Sequence, residues 1–130
     1  MRTLEFSAIF GVVPGFAHDN EVRVDPVERV AREWHAAAED ARAHGHPYVT
    51  AALAERRVLY PREKGSPMGG EVSVEAMGAC NPRCENLDSW QAGVRRVAEA
   101  TRRALGQETV RLVFRTVEDE LLQDSQSGQP

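Results

Sequence analysis

The segment Tyr48 to Tyr60, YVTAALAERRVLY, decides how this 130-residue chain folds. As a helix it would leave the later extended segments without a partner. As a strand it zips against residues 70–78 and completes a sheet. Its own alternation is irregular, and its Ala-rich start favours neither state. The neighbours arbitrate. A helix stop, Gly45, lies just before it, and an extended segment bounded by turns follows it. The connection PREKGSPMGG carries Pro61, Gly65, Pro67, Gly69 and Gly70 and is a loop by composition. Residues 70–78 then alternate Val72, Val74 and Ala76 against Glu71, Ser73 and Glu75, the period of a sheet with one buried face. Residues 48–60 are therefore read as a strand, and with 70–78 they make a long hairpin.

Outward from that hairpin the signals are plainer. Asp25-Pro26-Val27-Glu28 opens a helix: Asp is an N-cap, Pro fits the first helical position, and Glu can reach back to the cap. Val27, Val30, Trp34, Ala37, Ala38 and Ala41 recur at helical spacing, which predicts a helix over 26–43. Residues 3–13 alternate Leu4, Phe6, Ala8, Phe10 and Val12 with Glu5, Ser7 and Gly11, and Pro14 ends that strand. Downstream, Asp88-Ser-Trp-Gln91 is read as the capped start of a second helix. Its apolar stripe is Trp90, Val94, Val97, Thr101, Ala104 and Leu105, and Gly106 ends it. Residues 109–117 form the last strand. Residues 1–122 make one α+β sandwich domain in this reading, and the polar tail 123–130 is expected to be disordered.

The order βαββαβ has a known packing solution, the ferredoxin-like fold. It is a four-stranded antiparallel sheet of order 4-1-3-2 with both helices on one face. The other face is left open. It carries Glu5, Ser7 and Ile9, then Ser73, Glu75 and Met77, then Arg111, Val113, Arg115 and Val117. Arg111 and Arg115 neighbour the strand of Glu5, so cross-strand ion pairs are expected there. A half-apolar open face also suits self-association or a ligand cleft. Glu5, Glu75, Arg111 and Arg115 are the candidate ligand-binding residues.

Composition narrows the function classes. Net charge is −4, with 16 basic and 20 acidic residues, so binding of nucleic acid through overall positive charge is not expected. The open face also lacks the aromatic platform used on RNA. No stretch approaches the roughly 20 apolar residues of a membrane span, and the start lacks a basic leader before an apolar run. The expected location is the cytoplasm. GxSxG, GxGxxG, HExxH and EF-hand patterns are missing, and position 2 is Arg rather than the Pro of amino-terminal-proline tautomerases.

Three functional readings remain. The first is a self-associating cytoplasmic protein that binds a small molecule or a protein partner. The second is a cofactor-independent enzyme of the isomerase, cyclase or oxygenase type in a biosynthetic pathway, with acid–base candidates His18, Asp19, His35 and Glu39. The third is a zinc-stabilised domain. The topology brings the loop of His44 and His46 to the same sheet end as the loop of Cys80 and Cys84, and two His with two Cys match a tetrahedral zinc set. Cys80-Asn-Pro-Arg-Cys84 reads first as a turn before a helix, shaped by Asn81-Pro82, with zinc ligation and a redox or nucleophilic thiol pair as the other readings.

Overall fold

The computed structural model describes residues 1–12, 25–83 and 85–122. Strand β1 (Arg2–Gly11) leads to helix α1 (Pro26–Ala43), strand β2 (Ala52–Val58), strand β3 (Glu71–Ala79), helix α2 (Leu87–Ala104) and strand β4 (Arg111–Glu118). The sheet order is β2-β3-β1-β4, and every neighbouring pair is antiparallel. This is the ferredoxin-like arrangement expected from the element order. The tail 123–130 and the pair His18–Asp19 lie outside the described residues.

Helix α1 starts where its sequence says it should. The Asp25 carboxylate accepts from the Val27 and Glu28 amides at 2.8 and 3.3 Å, and Pro26 follows it at a position whose amide would have no helical partner. Helix α2 starts two residues earlier than its sequence suggested. Its cap is Asn86, whose side-chain oxygen accepts from the Ser89 amide at 3.0 Å, and Asp88 lies inside the first turn. Both residues are good caps, and the helix uses the first, with the Trp90 amide donating to the Asn86 carbonyl at 2.9 Å.

Both helices bury their stripes on one sheet face. Phe6 sits between them at the centre of β1. Its ring stacks on Trp34 of α1 at 5.5 Å and tilts against Trp90 of α2 at 5.9 Å. Phe10, Val30, Val49, Val74, Val94, Val97 and Leu105 are among the fully buried side chains of the same core.

The strand expected over 48–60 pairs only over 52–58. Residues 48–51 leave the ladder, and two contacts account for this. The Thr50 carbonyl lies against Gly78, in space that any Cβ there would fill. The Val49 carbonyl accepts the Trp34 indole N–H at 3.0 Å while the Val49 side chain enters the core. The segment is thus drawn beneath α1 before it joins the sheet.

Candidate functional site

The register fixes which side chains share the face away from the helices. Paired residues of an antiparallel sheet point the same way. Glu75 of β3 stands opposite Ala54 on one side and Ile9 on the other, and Ile9 in turn faces Arg111. Met77 stands between Ala52 and Ser7, and Ser7 faces Val113. Ser73 lies between Arg56 and Gly11, and Glu5 faces Arg115. The result is a polar stripe crossing an otherwise apolar face. None of the described helices packs on it: α1 and α2 contact the sheet from the other side.

Glu75 is the centre of the stripe. Its side chain is only 15% exposed, and both carboxylate oxygens are engaged. The Ser7 hydroxyl donates to one at 2.5 Å, and the Arg56 guanidinium donates to the other at 2.8 Å. The Ser7 hydrogen bond, the Arg56 ion pair and the charge of Arg115 together hold the carboxyl below its ordinary range, against the opposing effect of burial. Arg115 itself pairs with Glu5 at 2.7 Å, the cross-strand bridge expected from the alternation. The candidates Glu5, Glu75 and Arg115 are therefore brought together, and Arg111 lies one row away opposite Ile9. Ser7 and Arg56 are the members that sequence reasoning did not single out as site residues. Each reaches Glu75 on a diagonal, which only the strand register reveals. A Ser on the open face of a central strand was the available signal.

The remaining sequence candidates are placed elsewhere. His35 and Glu39 lie on the outer side of α1, more than half exposed, rather than in a cleft between helices and sheet. The His35 ring bonds the Tyr48 hydroxyl at 2.7 Å, and its other nitrogen is 3.9 Å from Glu39. Desolvation, aided by the Glu39 charge, raises the Tyr48 phenol above its usual range. His44 turns back to the Asp40 carbonyl at 2.8 Å, and His46 packs over Gly93 of α2.

Cys80 is buried, its amide held by the Leu4 carbonyl. Burial pushes its thiol up, and the Glu85 carboxylate adds to the effect, so Cys80 is a poor nucleophile. Among the described residues no group of three or more His, Cys, Asp or Glu side chains can hold a metal ion, so His44, His46 and Cys80 do not assemble one. Cys84 lies outside the described residues. A concavity of about 320 Å³ opens beside Met1, Cys80, Pro82, Arg83 and Leu121 at the end of the sheet. Among the described residues no helix is long and apolar enough to cross a membrane.

What the stripe can do chemically follows from its charges. It offers the carboxylates of Glu5 and Glu75, the guanidinium groups of Arg56, Arg115 and Arg111, and the Ser7 hydroxyl, set among Ile9, Met77, Ala54 and Val113. Such a surface suits a small polar molecule that carries charges of both signs. Residues 1–122 match the family model described as SAM lyase. Solved structures similar to the chain include a phage SAM lyase in complex with S-methyl-5'-thioadenosine, at 14% identity and TM-score 0.59 over 93% of each chain. They also include a phage SAM lyase in the apo state, at 14% identity and TM-score 0.60 over 94% of each chain. No curated protein sequence matches.

Proposed function

The chain belongs to the SAM lyase family, and from that premise we propose that it cleaves SAM, S-adenosylmethionine, on the open face of its sheet. The family match over residues 1–122 carries the reading. The polar stripe around Glu75 supports the location. The ligand of the similar phage SAM lyase, S-methyl-5'-thioadenosine, is SAM without its four-carbon amino-acid arm. A reaction that yields it breaks the Cγ–S bond and leaves the bonding pair on sulfur, which becomes a neutral thioether.

Two routes break that bond without added water. In one, a base removes a Cβ proton and an alkene forms. In the other, the substrate's own carboxylate attacks Cγ and closes a five-membered lactone. The second is favoured here. A carboxylate held ionised by Ser7, Arg56 and Arg115 is a weak base. Lactone closure moves no proton: a carboxylate and a sulfonium become an ester and a thioether, and the ammonium charge is unchanged. Joining opposite charges into neutral products runs faster away from water, and the apolar neighbours Ile9, Met77 and Val113 provide that setting. Glu75 contributes a fixed negative charge beside the sulfonium. It attracts the cationic substrate and not the neutral thioether, which favours product release. SAM is thus a substrate, and no resident cofactor enters the scheme.

Self-association through the same face, and a cytoplasmic location, belong to this proposal. An open face with Ile9, Met77, Val113 and Val117 is best covered by a second copy, which would turn a flat stripe into a cleft.

The test is direct. Purified protein is incubated with SAM and the products are followed by mass spectrometry. S-methyl-5'-thioadenosine and homoserine lactone are expected, and Glu75→Gln lowers kcat/KM by about 100-fold or more. An alkene product would overturn the lactone route. A protein that leaves SAM intact would overturn the activity itself.

A further inference from the structure

We infer that Glu5 is a positioning residue for the proposed cleavage: it holds the Arg115 guanidinium away from Glu75, so that the carboxylate beside the sulfonium carries one cation and not two. This rests on the reading that SAM is cleaved next to Glu75. The register supplies the geometry. Glu5 and Ser7 are successive open-face residues of β1, opposite Arg115 and Val113 of β4. Arg115 is thus a diagonal neighbour of Ser7, roughly 7–8 Å away and within reach of a long side chain. Ser7 is the residue that holds one oxygen of Glu75. A free Arg115 can therefore turn along the diagonal to that oxygen. Instead its Nη2 donates to Glu5 Oε1 at 2.7 Å, one row farther from Glu75 than Ser7.

The charges give the tether its purpose. Arg56 reaches Glu75 from β2, Ser7 bonds it from β1, and Arg111 of β4 lies in the row of Ile9. With Glu5 and Arg115 paired, the carboxylates of Glu5 and Glu75 match the guanidinium groups of Arg56 and Arg115. Loss of the Glu5 charge leaves one cation in excess and frees it to settle on Glu75. Both changes oppose a sulfonium. Arg115 is the more mobile partner: its side chain is 60% exposed, against 30% for Glu5. Its charge already helps, after the Ser7 hydrogen bond and Arg56, to hold the Glu75 carboxyl low. The separation is therefore short enough for the position of Arg115 to matter.

Steady-state cleavage of SAM by three variants, with the Glu75 carboxyl followed by carbon NMR, tests this role. Glu5→Gln is expected to lower kcat/KM by about fivefold. Most of that loss falls on KM, because the sulfonium carries its full charge before the bond breaks. The Glu75 carboxyl in this variant titrates at lower pH than in the wild type. Removing the guanidinium as well, in Glu5→Gln with Arg115→Gln, recovers at least half of the loss and returns the titration to higher pH. Glu5→Gln with Arg111→Gln restores the same net charge but leaves both readouts where Glu5→Gln put them. Equal recovery by the Arg111 change would mean that net charge alone acts. Unchanged kcat/KM and titration in Glu5→Gln would mean that there is no tether. Either result overturns the role of Glu5. If the wild type leaves SAM intact, the cleavage reading fails, and the titration then decides whether Glu5 holds Arg115 off Glu75.

Discussion

At the scale of single residues, Glu75 makes the clearest demand on solution behaviour. Its carboxyl is held below the ordinary glutamate range, first by the Ser7 hydrogen bond and then by Arg56 and Arg115. A depressed acid contributes stability that is complete above its unfolded pKa of about 4.3, and that is lost as pH falls through the lower folded value. The acid limb of the kcat/KM profile should therefore begin below the ordinary glutamate range, and Ser7→Ala should move it to higher pH. An acid limb that stays put in Ser7→Ala would deny the hydroxyl its role. Glu75, Glu5 and Arg115 were legible in the sequence because strict alternation assigns them to one face. The contacts of Ser7 and Arg56 with Glu75 were not, because both run on diagonals across the ladder, which no local period encodes.

At the scale of elements, the two helices differ in how plainly they announce their starts. Asp25-Pro26 leaves one frame, and α1 follows it. Asn86 and Asp88 offer two, and α2 uses the first. Asn86→Ala should cost about 1 kcal/mol, read as a lower midpoint in urea, whereas Asp88→Ala should change it by less than half as much. Strand β2 is the element whose beginning the sequence hides. Alternation cannot see that Thr50 crosses Gly78 or that Val49 answers Trp34. Gly78→Ala should cost about 1–3 kcal/mol, because backbone rather than a flexible side chain occupies the space. Full wild-type stability in that variant would mean that residues 48–51 can move aside freely.

At the scale of the whole molecule, element order was enough to predict the layers and the strand order. Helix periods of 3.6 and strand periods of 2 were unambiguous over most of the chain, and antiparallel pairing with right-handed crossovers leaves few alternatives. The activity was not legible in that way, since this architecture hosts many chemistries and its stripe is assembled from all four strands. The same layering bears on assembly. Light scattering after size-exclusion chromatography should report an oligomer at micromolar concentration, and Met77→Asp, on the open face, should shift it towards monomer. A wild type that stays monomeric at high micromolar concentration would remove the self-association proposal.

Trp34 and Trp90 are both buried, and both lie against the single ring of Phe6 on the helix side of the sheet. The molecule therefore carries its own optical gauge: indole emission from so dry a setting is blue-shifted, and it turns red when either rod lifts off the ribbon. Because the backbone layer screens these rings from anything seated on the opposite side, a nucleoside added to the protein should leave the spectrum as it was. A colour change on its addition would report motion transmitted through the sheet.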